Sequence, residues 1–106
     1  MADPKISVPE TADKGSLIQV RTVIDHPMDS GHNYDVNGKQ VPRHIIHTFI
    51  VKYNGEEVFH ANLRPAQASN PYYAFNMLAT SSGTIEFTWI DDDGSVTTAT
   101  KNITVT

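Results

Sequence analysis

The sequence predicts an all-β fold, an antiparallel β-sandwich built as one domain over residues 1–106, and three observations carry that reading. Apolar residues alternate with polar ones at period 2 in a series of short runs. Asx-Gly pairs stand between runs. No apolar stripe of helical spacing continues beyond about two turns.

Taken in order, the opening run Lys5–Val8 is short and carries the weakest alternation. Leu17–Ile24 carries the clearest, with Ile18, Val20, Thr22 and Ile24 on one face and Gln19 and Arg21 on the other. Ile45–Tyr53 and Val58–Leu63 flank Asn54-Gly55, a pair that accepts positive φ at both centres of a type I′ turn, so the two form a hairpin. Tyr73–Ala79 follows a connection running from Arg64-Pro65 through Asn70-Pro71. Ile85–Ile90 and Val96–Val105 flank Asp93-Gly94, which reads as a second turn of the same kind. Seven strands of this size fit a sandwich of immunoglobulin-like type. With no cysteine for an inter-sheet disulfide, Trp89 and Phe87 are expected to fill its middle.

Between the second and third runs lies His26 to Arg43, a long connection containing Pro27, Gly31, Gly38 and Pro42, in which Asn37-Gly38 can turn a small ribbon.

Charge and composition exclude several functions. With 8 Lys+Arg against 12 Asp+Glu the net charge is −4, and no basic cluster marks a nucleic-acid or anionic-membrane surface. The absence of cysteine excludes thiolate nucleophiles, Cys-ligated zinc and iron–sulfur clusters. No apolar run approaches the length of a membrane-spanning helix. Met1-Ala2-Asp3-Pro4-Lys5 places an acid and a proline where a signal peptide carries basic and apolar stretches, so the expectation is a chain without its own export address.

Candidate chemistry is sparse. Of the five histidines, His44 and His47 stand three apart on one strand, on opposite faces, and cannot share an ion unless the strand begins after His44. His26 and His32 lie in the long connection, where they could converge as ligands but read better as solvated side chains, while His60 faces water or a neighbouring strand. Asp91-Asp92-Asp93-Gly94 lacks the Glu that an EF-hand places six residues after its glycine, where Thr100 stands, so it reads as a solubilising hairpin tip. Asn102-Ile103-Thr104 matches a glycosylation sequon but lies inside a strand. Neither a nucleophile elbow nor a phosphate-binding glycine loop is present. No catalytic residue, cofactor or metal ligand is assigned.

One feature of Ile45–Tyr53 points to a surface. Phe49, Val51 and Tyr53 occupy one face, and Ile46 and Ile50 are read onto the other, where a solvated sandwich strand would be polar. Leu78 and Tyr72 add apolar surface elsewhere. Either the long connection covers this surface or another protein does, and on the second reading these four residues, Ile46, Ile50, Leu78 and Tyr72, are the expected partner interface.

Ordered motifs along the chain carry a family resemblance: Asp3-Pro4-Lys5-Ile6, His26-Pro27-Met28-Asp29-Ser30-Gly31, Pro42-Arg43, Tyr53-Asn54-Gly55, Asn70-Pro71-Tyr72, and Phe87-Thr88-Trp89 followed by Asp91-Asp92-Asp93-Gly94-Ser95. Together they resemble SoxZ, the small subunit of the bacterial sulfur-oxidation carrier complex, nearly end to end. The resemblance implies a heterodimer with a SoxY-like subunit whose C-terminal cysteine, on a flexible arm, holds sulfur during thiosulfate oxidation. It also implies docking of other Sox enzymes, and a periplasmic location reached by export with a signal-bearing partner. His26-Pro27-Met28 with His32 is similar, too, to the iron-binding segment of superoxide reductases, but the cysteine ligand those enzymes use is missing here. An extracellular immunoglobulin-like binding module is the third reading.

Overall fold

The computed structural model describes residues 4–64 and 69–106. Eight strands form: β1 (Pro4–Ser7), β2 (Thr11–Ala12), β3 (Leu17–Ile24), β4 (Ile46–Tyr53), β5 (Glu56–Asn62), β6 (Tyr72–Leu78), β7 (Gly83–Asp91) and β8 (Val96–Val105). They make a three-stranded sheet, β1-β3-β6, and a five-stranded sheet, β2-β8-β7-β4-β5. Every pairing is antiparallel except that of β2 with β8. The predicted sandwich is therefore the observed one, with one strand more. At two residues β2 is too short to show alternation. It is recognised only by its backbone bonds, Thr104 N–H to Glu10 O and Thr106 N–H to Ala12 O.

Alternation places the core. In β3 the residues Ile18, Val20, Thr22 and Ile24 point inward, and β7 contributes Ile85, Phe87 and Trp89. The aromatic rings bridge the two sheets. Trp89 stacks on Phe49 at 4.9 Å, Phe49 on Tyr73 of the opposite sheet at 5.5 Å, and Phe59 on Phe75 at 4.5 Å. Burying a ring such as Phe49 completely contributes roughly 1.5–3 kcal/mol, and favourable ring pairing adds to it.

β4 departs from simple alternation. A register shift between Ile46 and Thr48 against β7 inserts an extra residue, so Ile46 and Phe49 both point inward although they are three apart. The reading of Ile46 and Ile50 as one outward stripe is thereby corrected: Ile46 is 2% exposed and belongs to the core, and Ile50 alone faces out.

The two turns differ. Asn54 and Gly55 both have positive φ (50° and 86°), the type I′ geometry the pair predicts. At the other hairpin only Gly94 does (φ 84°), and the Gly94 amide donates to Asp91 O while the Asp91 amide donates to Ser95 O. This is a type I turn closed by a left-handed glycine, not a type I′ turn. The ribbon inside the long connection uses the same device: Tyr34 bridges Gln40, and Gly38 N–H donates to Asp35 O.

The far end of the sandwich is locked by a tyrosine. The Tyr53 hydroxyl donates to Ser81 O and accepts from the amides of Thr80 (3.3 Å) and Ser81 (3.1 Å). Burial pushes this phenol up, and the hydrogen bonds of Ser81 and Thr80 outweigh it, leaving the group below the ordinary tyrosine value. Part of the predicted connection Arg64-Pro65 through Asn70-Pro71, and Asp3 of the opening motif, lie outside the described residues.

Candidate functional site

The opposite end carries the polar chemistry. The period-2 phase of β3 continues past its last residue, from Ile24 to His26. That of β7 runs from Trp89 to Asp91. Both polar side chains consequently turn inward at the rim of the sandwich, where His26 is 6% and Asp91 7% exposed. Two such groups are stable there because they satisfy each other: His26 Nε2 lies 2.7 Å from Asp91 Oδ2.

The local backbone is built to hold His26. Its amide donates to Asn70 Oδ1 (2.9 Å), and its carbonyl accepts from the Asn70 amide (2.7 Å). The Met28 amide donates to His26 Nδ1 (3.0 Å), which fixes the proton on Nε2 and aims that N–H at the carboxylate. Met28 and Asn70 both adopt positive φ (53° each) to make these contacts, a cost of order 1 kcal/mol apiece that the network offsets.

His44 joins from the other side. Bridged through its backbone to Asp29, it places its ring against His26, with ring centroids 5.2 Å apart. Its Nε2 lies 2.8 Å from Asp91 Oδ1 and 3.5 Å from Asp93 Oδ2. Next to this cluster, Asp92 accepts from the Arg43 guanidinium (Nε, 2.9 Å) and from the Ile45 amide (3.1 Å). Burial pushes the Asp92 carboxyl up, but Arg43 and Ile45 hold it below the usual carboxylate range. The Asp93 carboxyl is held low as well, first by the hydroxyl and amide of Ser95 and then by His44. A cavity of about 300 Å³ opens beside the cluster, with Asp25, Pro27, Ile46 and Trp89 among its walls.

Two sequence readings change here and one holds. His26 is buried and bonded rather than solvated. His32 stands apart from it, exposed, its amide on Ser30 Oγ. Within the acidic tip Asp91 is buried and Asp92 pairs with Arg43, while Asp93 stays exposed as the sequence suggests. Of the other histidines, His44 lies before β4, His47 bonds Thr48 Oγ1 (2.7 Å), and exposed His60 bonds Glu57 and Asn62. Asn102 lies within β8, where it accepts from the Thr84 hydroxyl.

The expected interface residues do not form one patch. Ile46 is buried, and Ile50 faces out from the five-stranded sheet. Tyr72 (56% exposed) and Leu78 (49%) share the outer face of the three-stranded sheet. There the β3–β6 register sets Leu78 directly opposite Leu17, 70% exposed, and Tyr72 opposite Val23. Leu17 is the residue the sequence reading missed. As the first residue of its strand, opposite in phase to Ile18, it was legible as outward-facing.

An immunoglobulin-like sandwich with a buried His–Asp pair at one rim has close architectural relatives. A superoxide reductase (neelaredoxin) from Ignicoccus hospitalis matches with a TM-score of 0.73 at 21% identity, over 97% of this chain and 80% of that one. A putative superoxide reductase from Thermotoga maritima matches at 0.73 and 18%, over 97% and 85%. The sulfur carrier protein SoxY from Chlorobium limicola f thiosulfatophilum matches at 0.68 and 14%, over 97% and 78%. At these identities the likeness is one of fold. A comparison with curated proteins finds no match. The family assignment comes from sequence: the model for Sulphur oxidation protein SoxZ matches residues 6–102. The chain belongs to the SoxZ family and is a subunit of a Sox sulfur-oxidation system.

Proposed function

We propose that this chain is the non-catalytic scaffold half of a heterodimeric sulfur carrier in thiosulfate oxidation. Its mate is a SoxY-like subunit that holds sulfur covalently on a C-terminal cysteine. The observation that carries the reading is the SoxZ match over residues 6–102 in a chain with no cysteine of its own. A covalent carrier needs a thiol, and here it must come from another molecule. The division of labour has a physical basis: a rigid body fixes the origin of the swinging arm, so the arm's length sets its effective concentration at each enzyme. The pair works in the periplasm, this subunit being exported bound to a signal-bearing partner, and other Sox enzymes dock on the assembled carrier.

The outer face of the β1-β3-β6 sheet supports pairing. Leu17 and Leu78 at one end and Val23 and Tyr72 at the other flank the middle positions Gln19, Arg21, Ala74 and Asn76. β6 is also a sheet edge with one side open to a further strand. A stable partner would cover about 800 Å² here, removing the leucines from water.

The test is co-purification with a SoxY-type subunit. Wild type is expected to co-elute with it on size exclusion, and the double variant Tyr72→Lys/Leu78→Lys is expected to elute separately with its circular dichroism unchanged. Ile50→Lys, on the other sheet, should still pair. Co-elution of the double variant would overturn the assignment of this face, and failure of wild type to pair would overturn the carrier reading.

A further inference from the structure

The cluster at the rim has no task in the carrier reading, and its geometry asks for one. His44 Nε2 is shielded from solvent and makes no hydrogen bond among the described residues, although Asp91 Oδ1 is 2.8 Å away and Asp93 Oδ2 3.5 Å away. Both oxygens are close to the nitrogen and neither is aligned for a hydrogen bond with it. A buried polar nitrogen left this way is costly in a folded protein.

Off-axis oxygens at this range are poor hydrogen-bond acceptors and good co-ligands. An ion on the lone-pair axis about 2.1 Å from an imidazole nitrogen, and equally far from a carboxylate oxygen, needs an N···O span of about 3.0 Å at a right angle and about 3.4 Å at the tetrahedral angle. The two observed spans bracket that range. Each span by itself suits one ion held between His44 Nε2 and that carboxylate oxygen.

His26 is not a ligand in this arrangement. Its Nδ1 accepts from Met28, so its Nε2 bears the proton and is committed to Asp91 Oδ2. It acts on the other oxygen of the same carboxylate, holding Asp91 so that Oδ1 faces His44, as outer-shell partners of metal ligands do. Electrostatics favour a cation as well. Asp25, Asp91 and Asp93 all line the adjoining cavity, and no Lys or Arg is among its described walls.

We propose that His44, Asp91 and Asp93 bind one divalent first-row transition ion, with His26 as a positioning residue and the remaining coordination open to water from the cavity. One imidazole with two carboxylates suits ions of the Zn²⁺, Co²⁺ or Mn²⁺ type. This proposal stands independently of the carrier reading, since it concerns the isolated chain.

Calorimetric titration of the metal-stripped full chain with Zn²⁺ near neutral pH tests it, with Co²⁺ visible absorption as a second readout. One equivalent is expected to bind. His44→Ala and Asp93→Asn, both at solvent-accessible side chains, should each weaken binding at least tenfold without altering the circular dichroism. His26→Gln should weaken it about 10–100-fold, and His60→Ala on the distant β5 should leave it unchanged. Absence of Zn²⁺ and Co²⁺ binding to wild type, or binding that survives both His44→Ala and Asp93→Asn, would overturn the proposal.

Discussion

At the scale of single residues, the rim of the sandwich shows how one carboxylate run is divided among three tasks. Asp91 holds His26, Asp92 holds Arg43 and the Ile45 amide, and Asp93 caps Ser95. Asp92 has a measurable consequence. Its folded pKa lies below the ordinary 3.8, so its ionised form stabilises the fold above that value and the contribution is lost as pH falls through the folded pKa. Asp92→Asn should therefore cost about 1 kcal/mol near neutral pH, Arg43 being half exposed and its pairing partly screened. Urea midpoints of variant and wild type should converge below pH 3.8, and a constant difference across the range would contradict this role for Asp92. These partners were hard to read from sequence because His26 and Asp91 are 65 residues apart, and spacing arguments join only neighbours, such as His26 with His32. A usable signal existed nonetheless: extending the β3 and β7 alternation by two residues turns both side chains inward.

At the scale of elements, the strands were legible wherever one face is apolar and the other polar. Leu17–Ile24 matches the alternation to the residue. β4 was misread because Ile45, Ile46 and Phe49 carry apolar side chains on either side of a bulge, and a run of apolar residues does not reveal where an extra residue is inserted. The Asn54-Gly55 turn was legible as a turn, but its second role was not. The Asn54 side chain reaches back over Gly83, donating to Ser81 Oγ and accepting from the Thr84 amide. A Cβ built on Gly83 would lie 1.7 Å from Asn54 Oδ1, so any larger residue at 83 must displace the Asn54 side chain from its hydrogen bonds. Gly83→Ala should displace the Asn54 side chain and destabilise the domain by roughly 1–3 kcal/mol, measured as a lower urea midpoint. Removing the obstruction with Asn54→Gly in the same chain should recover part of that loss, and a Gly83→Ala midpoint equal to wild type would refute the lock.

At the scale of the whole molecule, two sheets bury an aromatic ladder between them and leave the two ends with different chemistry. The Tyr53 end is closed by hydrogen bonds, and the rim at His26 gathers the titratable groups. The sandwich itself was legible because period-2 runs and turn residues are local properties. The proposed pairing surface was legible only in part, at Leu78 and Tyr72, since exposure depends on register across strands: the alignment of Leu17 with Leu78 turns two scattered leucines into a patch. Membership in the SoxZ family and the lack of cysteine underlie the proposed division of labour, with shape on this chain and the thiol on its mate. Intact-mass analysis of the SoxY-type subunit after exposure to thiosulfate and the remaining Sox enzymes tests it most directly. The account predicts that sulfur adducts accumulate on the mate's cysteine only when this chain is paired with it, and that they disappear with the Tyr72→Lys/Leu78→Lys variant. Equal loading of the mate in the absence of this chain would contradict it.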